Sequence, residues 1–214
     1  MKNIYIFSGL GTDERVFKNL SLPGCHIKFI RWITPLKNEK INEYAKRLSS
    51  QIQDLDPVLI GLSFGGMIAI ETAKFLPTEK VILISSVKSR AEVPFYYRFA
   101  GAIKLDKVVP ARLYKKANLF MYWIFGITTT EEKKLLKSIL KAEENKLLRW
   151  SIRQAINWKN EEAVRNLFHI HGTADRIFPY RFVKPDKTIL QGGHFMIFDR
   201  AEEISNLILK EIKS

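Results

Sequence analysis

Val58-Leu59-Ile60-Gly61-Leu62-Ser63-Phe64-Gly65-Gly66-Met67-Ile68-Ala69 is the stretch from which the rest of this chain can be read. Val58 to Ile60 is an apolar run of the kind a buried strand needs, and a helical apolar pattern follows it. Between them stands Gly61-Leu62-Ser63-Phe64-Gly65, a G-x-S-x-G. That pattern suits a sharp strand-to-helix turn that lifts a serine clear of a sheet. In so tight a turn a Cβ at either glycine would meet neighbouring backbone. Ser63 is therefore read as a nucleophile, and the chain should supply a base, an acid and donors for a developing oxyanion.

Working outward, Asn3 to Phe7 reads as a first strand, apolar throughout as a strand covered on both faces should be. Ser8-Gly9-Leu10-Gly11 is a turn. Thr12 or Asp13 can cap a short helix carrying Val16, Phe17 and Leu20. His26 to Trp32 reads as a second strand. A helix from about Glu39 to Leu55 keeps Ile41, Tyr44, Ala45, Leu48, Ile52 and Leu55 at a spacing of three or four. The strand that delivers Ser63 is the third, and its helix runs to about Leu76, before Pro77. Val81 to Ile84 is a fourth strand. Alternating strands and amphipathic helices imply a parallel sheet covered on both sides. The class is α/β.

At Ser86 the rhythm stops. From Lys88 to Asn160 the pattern is helical and aromatic, without a convincing strand. Two helices are expected at about Glu131 to Ala142 and Asn145 to Trp158. This segment, 88–160, is read as a helical lid inserted into a core formed by 1–87 and 161–214. The rhythm resumes with a fifth strand at Leu167 to His171 and a sixth at Lys187 to Leu190. A last helix follows, with Asp199 read as its cap and Glu202 as the box partner.

Composition narrows the function classes. The chain has 214 residues and one cysteine, Cys25, so no intrachain disulfide can form. The apolar start, Ile4 to Phe7, is shorter than a secretory core, and Leu119 to Ile127 is half a membrane span at most. A cytoplasmic protein is expected. The net charge is +13. Between Lys88 and Arg165 there are 17 basic and 8 acidic side chains, a difference of +9, so the excess sits mostly in the helical segment. It could steer an anionic substrate or an acidic partner. No nucleic-acid motif, phosphate loop, dinucleotide fingerprint or metal-ligand spacing accompanies it, and no cofactor is expected.

Two further motifs complete the chemistry. Asp175 stands just past the fifth strand, in His169-Ile170-His171-Gly172-Thr173-Ala174-Asp175. His194 stands just past the sixth, in Gly192-Gly193-His194-Phe195. With Ser63, all three lie at carboxyl ends of strands, where ligand sites of open α/β sheets form. Asp186, near a proline, and Asp199, at a helix start, are weaker acid candidates. His169 and His171 are read as structural, and His26 as a surface residue.

On Gly9–Gly11, Gly61–Ala69, His171–Pro179 and Gly192–Phe195 the chain resembles the α/β-hydrolase family, closely over these motifs and loosely over the lid. The resemblance implies a sheet of order 2-1-3-4-5-6, trimmed to six strands because members usually carry two more before the first. It also implies that one connecting helix between Asp175 and His194 is reduced. Ser63 would be the nucleophile, His194 the base and Asp175 the acid. Backbone N–H groups of Leu10 and Phe64 would form the oxyanion hole. The expected activity is cleavage of a carboxylic ester or thioester through an acyl-enzyme. Carbon–carbon hydrolysis and perhydrolysis use the same triad. An esterase acting on acyl groups held by an acidic carrier protein is one alternative. A non-enzymatic binding protein on the same fold is another.

Overall fold

The computed structural model describes residues 1–10, 12–103, 118–142 and 144–213. Six strands form one parallel sheet: β1 (Lys2–Phe7), β2 (Cys25–Phe29), β3 (Val58–Leu62), β4 (Lys80–Ile84), β5 (Leu167–Gly172) and β6 (Lys187–Ile189). Their order is β2-β1-β3-β4-β5-β6, every neighbouring pair parallel. This is the order expected from the resemblance.

Helices α1 (Ile41–Leu48), α2 (Phe64–Ala73) and α8 (Ala201–Lys213) cover the sheet. Between β4 and β5 lie α3 (Phe95–Ala102), α4 (Leu119–Phe125), α5 (Thr130–Ala142) and α6 (Asn145–Ile156), and α7 (Met196–Asp199) follows β6. Among the described residues the segment between β4 and β5 contains no strand. Residues 104–117 and 143 lie outside the described residues. With them lies the Pro110 break, together with five of the segment's basic side chains, Lys104, Lys107, Arg112, Lys115 and Lys116. Gly11 of the first turn lies outside as well. No helix among the described residues is long and apolar enough to cross a membrane.

Strand alternation divides the core into two layers. Ile4, Ile6, Ile60, Ile82, Ile84 and Ile170 pack with Val16, Phe17 and the α8 stripe Ile204, Ile208 and Ile212. Tyr5, Phe7, Leu59, Val81 and Leu83 pack on the other face with Tyr44 and Leu48 of α1 and Met67, Ile68 and Ile70 of α2.

Side chains tie α6 to this core. Trp150 Nε1 donates to the Glu39 carbonyl at 2.8 Å, and its ring lies 4.3 Å from that of Tyr44. Just beyond α6, Trp158 Nε1 donates to Glu71 Oε1 at 2.7 Å. Half-buried Trp150 and buried Trp158 thus find acceptors for their single N–H while filling space between helix and sheet.

Three local readings need correction. The helix expected over 39–55 is α-helical only to Leu48 and then tightens to 3₁₀ at Ser49–Gln51. There Ser49 and Ser50 hydroxyls donate back to the Lys46 and Arg47 carbonyls, competing with the regular ladder. Asp199 closes α7 instead of capping the last helix, which begins at Ala201. A capping box instead opens α5. Glu132 N–H donates to Thr129 Oγ1 at 3.2 Å, and Thr129 N–H donates to Glu132 Oε2 at 2.8 Å.

Candidate active site

Ser63 follows β3 with φ 53° and ψ −120°, a conformation that costs a non-glycine residue of order 1–3 kcal/mol. The surroundings hold it there. Its N–H donates to the Ile84 carbonyl at 2.9 Å, and its carbonyl accepts from Gly66 N–H at 2.9 Å and Ser86 Oγ at 2.7 Å. The glycines are needed because backbone crosses backbone here. A Cβ on Gly61 would stand 2.4 Å from Gly66 Cα, and one on Gly65 2.3 Å from the carbonyl oxygens of Phe7 and Ser8. The turn after β1 is thereby pressed against the start of α2. Trp32 Nε1 fixes that turn from the far side by donating to Ser8 Oγ at 2.7 Å.

Asp175 and His194 reach Ser63 through the ends of β5 and β6. Gly172 and Gly192 touch so closely that a Cβ on Gly172 would lie 2.1 Å from the Gly192 carbonyl oxygen. Ala174 N–H donates to that same oxygen at 2.9 Å. Only a 3₁₀ turn, Tyr180–Phe182, separates β5 from β6 among the described residues, in keeping with the short interval between the two motifs.

The result is a continuous hydrogen-bonded row. His194 Nε2 lies 2.9 Å from Ser63 Oγ, and His194 Nδ1 lies 2.8 Å from Asp175 Oδ2. The other carboxylate oxygen accepts from the N–H groups of Ile177 at 2.8 Å and Phe178 at 2.9 Å. Asp175 can only accept, so the His194 proton sits on Nδ1 and Nε2 is free to accept from Ser63. The rings of Phe125 and Phe178 flank the imidazole at 5.6 and 5.9 Å. Asp186 is engaged elsewhere, accepting from His169 N–H at 2.8 Å, and His26 is exposed.

His169 and His171 are fully buried. Burial pushes both imidazoles below the ordinary value of 6.5, His169 the further, while Asp175 opposes the shift at His171. A depressed histidine stays neutral in the native protein while the unfolded chain takes up a proton. Stability is therefore complete above about pH 6.5 and falls below it, by up to about 1.4 kcal/mol per pH unit for each histidine, until the native imidazole protonates. Urea unfolding between about pH 7.5 and pH 5 is expected to show this loss, and His169→Leu to make the slope shallower.

Ser63 and His194 open onto a cavity of about 330 Å³. Leu10 and Phe64, the two expected oxyanion donors, line it as well. Phe64 is the first residue of α2, where N–H groups have no intrahelical carbonyl. Val93, Tyr97, Met121, Phe125, Ile152 and Ile156 form much of the remaining wall, and no Asp, Glu, Lys or Arg is among the described residues that line it. The Tyr97 phenol is pushed up to about 12, chiefly by burial. It therefore stays protonated and can serve as a donor inside the cavity. The sequence did not single out Tyr97 among the aromatic residues of 88–160, and it did not mark the α6 residues as wall. Helical spacing shows which side chains share a face, but not what that face meets.

Among the described residues, no group of three or more His, Cys, Asp or Glu side chains is placed to hold a metal ion. No protein-family model and no curated protein sequence matches the chain. Solved structures do resemble it. Bromoperoxidase from Bacillus anthracis superposes with a TM-score of 0.71 at 14% identity, covering 100% of this chain and 92% of that one. An esterase, EaEST from Exiguobacterium antarcticum, does so with 0.64 at 15% identity, covering 100% and 92%. MGS-M2, an alpha/beta hydrolase enzyme from a Medee basin deep-sea metagenome library, gives 0.65 at 14% identity, covering 100% and 90%. With the parallel 2-1-3-4-5-6 sheet and the strained serine turn at the end of β3, these superpositions establish that the chain has the α/β-hydrolase fold.

Proposed function

We propose that this protein is a serine hydrolase that cleaves a carboxylic ester or thioester of an uncharged, apolar acyl group. The observation that carries the reading is the unbroken row Ser63–His194–Asp175 opening onto a cavity whose lining, among the described residues, carries no charge. Its similarity to solved esterases and hydrolases supports the same class.

In the first step Ser63 Oγ attacks the acyl carbon as its proton passes to His194 Nε2. Asp175 stabilises the resulting imidazolium and keeps its Nδ1–H aimed correctly. The N–H groups of Leu10 and Phe64 receive the charge that develops on the carbonyl oxygen. His194 then returns the proton to the departing alcohol or thiol, which leaves Ser63 acylated. Water, activated by the same imidazole, attacks the acyl-enzyme and releases the acid. The residues 88–160 act as a lid, with α4 and α6 furnishing walls for the acyl chain. An ionised substrate carboxylate in that wall would lose its hydration without a cationic partner, which costs several kcal/mol.

The test is a panel of p-nitrophenyl esters matched in length but differing in a terminal carboxylate. Neutral acyl esters are expected to be turned over at least about 100-fold faster in kcat/KM than their carboxylate-ended counterparts, a difference of about 2.7 kcal/mol. A fluorophosphonate should label Ser63 rapidly. Absence of labelling together with absence of turnover across the panel would favour a binding protein on this fold. Equal rates for neutral and charged esters would refute the apolar-acyl assignment.

A further inference from the structure

Behind Asp175 lies a second row of imidazoles that the acyl-transfer steps do not use. Strand β5 points His169 and His171, two residues apart, to the same face. His169 Nε2 is 3.1 Å from His171 Nδ1. His171 Nε2 is 2.8 Å from the Phe178 carbonyl oxygen and 3.4 Å from Asp175 Oδ2. A carbonyl only accepts, so the His171 proton sits on Nε2. In the neutral ring Nδ1 is then bare and accepts from His169 Nε2–H. The row ends at His169 Nδ1, which makes no hydrogen bond of ordinary geometry among the described residues.

The row has a direction, and it points at one turn. Phe178 is held twice. Its N–H donates to Asp175 Oδ1 at 2.9 Å, and its carbonyl accepts from His171 at 2.8 Å. Its ring stands beside His194 and lines the cavity. Two leucines would fill this space without removing four ring nitrogens from water, so packing alone gives no reason for the pair.

We propose that His171 is a positioning residue. Its Nε2–H, bonded to the Phe178 carbonyl, holds the turn from Asp175 to Phe178 so that Oδ2 stays aimed at His194. His169 supports it by donating to Nδ1, which keeps the His171 proton on Nε2. The inference rests on the acyl-transfer reading given above.

Two variants separate this role from space filling. In His171→Gln the amide nitrogen reaches the position of Nε2 and can still donate to Phe178. In His171→Asn it reaches only the position of Nδ1. His171→Gln is expected to keep kcat within about 3-fold, and His171→Asn to lose roughly 30-fold in kcat with KM unchanged, as a misaimed acid would cause. The second readout needs no turnover: the far-downfield Nδ1–H resonance of His194, bonded to Asp175, in the substrate-free protein. It should persist in the Gln variant and broaden through solvent exchange in the Asn variant. This arm stands even if the protein hydrolyses no ester. In the wild-type protein, ¹⁵N spectra should show His169 and His171 as neutral Nε2–H tautomers. Equal behaviour of the two variants, the reverse ranking, or a His171 proton on Nδ1 overturns the proposal.

Discussion

Ser63→Ala is expected to lower ester turnover by about 10⁵-fold while the protein stays folded. The hydroxyl makes one hydrogen bond, to His194 Nε2, at a half-buried position. Losing it should cost no more than about 1 kcal/mol, so the melting temperature should move by under about 4 °C. Alanine inherits the positive φ of Ser63, so the backbone strain stays and the turn keeps its shape. Glycine at the same position supplies the contrast. Ser63→Gly is equally inactive but relieves the strain, and should gain about 1 kcal/mol over the alanine variant in urea unfolding. Strain is thus stored where the hydroxyl must stand. Turnover by Ser63→Ala, purified alongside an inactive His194→Ala control to exclude a contaminating esterase, would remove the acyl-enzyme mechanism altogether.

The serine turn was legible because it rests on backbone sterics. Gly61 and Gly65 stand where two chain segments pack backbone to backbone with no room for a Cβ, and no other residue type fits. The sheet was legible for a related reason. Ile4, Tyr5, Ile6 and Phe7 are apolar at consecutive positions, which only a strand covered on both faces requires. Asp175 could be chosen over Asp186 and Asp199 from its place at a strand end. The competitors indeed serve backbone N–H and a short helix instead.

What escaped was tertiary. The spacing of His169 and His171 put them on one strand face, yet their acceptor is a carbonyl seven residues beyond His171, which no side-chain pattern encodes. Ile152, Ala155 and Ile156 formed an ordinary helical stripe, and only the structure shows that it meets the Ser63 cavity. Among the described residues, the excess of positive charge so plain in the sequence contributes nothing to the lining of that cavity. At the described surface such charge acts through solvent, where screening limits it to about 8–10 Å at moderate salt.

Asp175→Asn is expected to lower kcat by about 10⁴-fold with little change in KM, although it alters a single atom. The reason lies in which oxygen does what. Oδ1 accepts two backbone N–H groups, from Ile177 and Phe178, so the amide oxygen of asparagine must stay there. Its NH₂ group is then forced toward His194 Nδ1. That nitrogen can no longer carry a proton, and the imidazole switches to the Nε2–H tautomer. Nε2 would then donate to Ser63 Oγ instead of accepting from it, and no base faces the nucleophile. The alternative flip aims NH₂ at two backbone donors and leaves both unsatisfied, at about 1–3 kcal/mol each. His171 Nε2–H, 3.4 Å from Oδ2, opposes an NH₂ there, but that single long contact is outweighed by the two backbone donors satisfied at Oδ1. The variant should therefore fold, bind substrate and stay nearly inactive near neutral pH. It should recover part of its rate only in strong base, where hydroxide can take the serine proton. A rate–pH profile that matches the wild-type protein in both height and shape would show that Asp175 is not the acid.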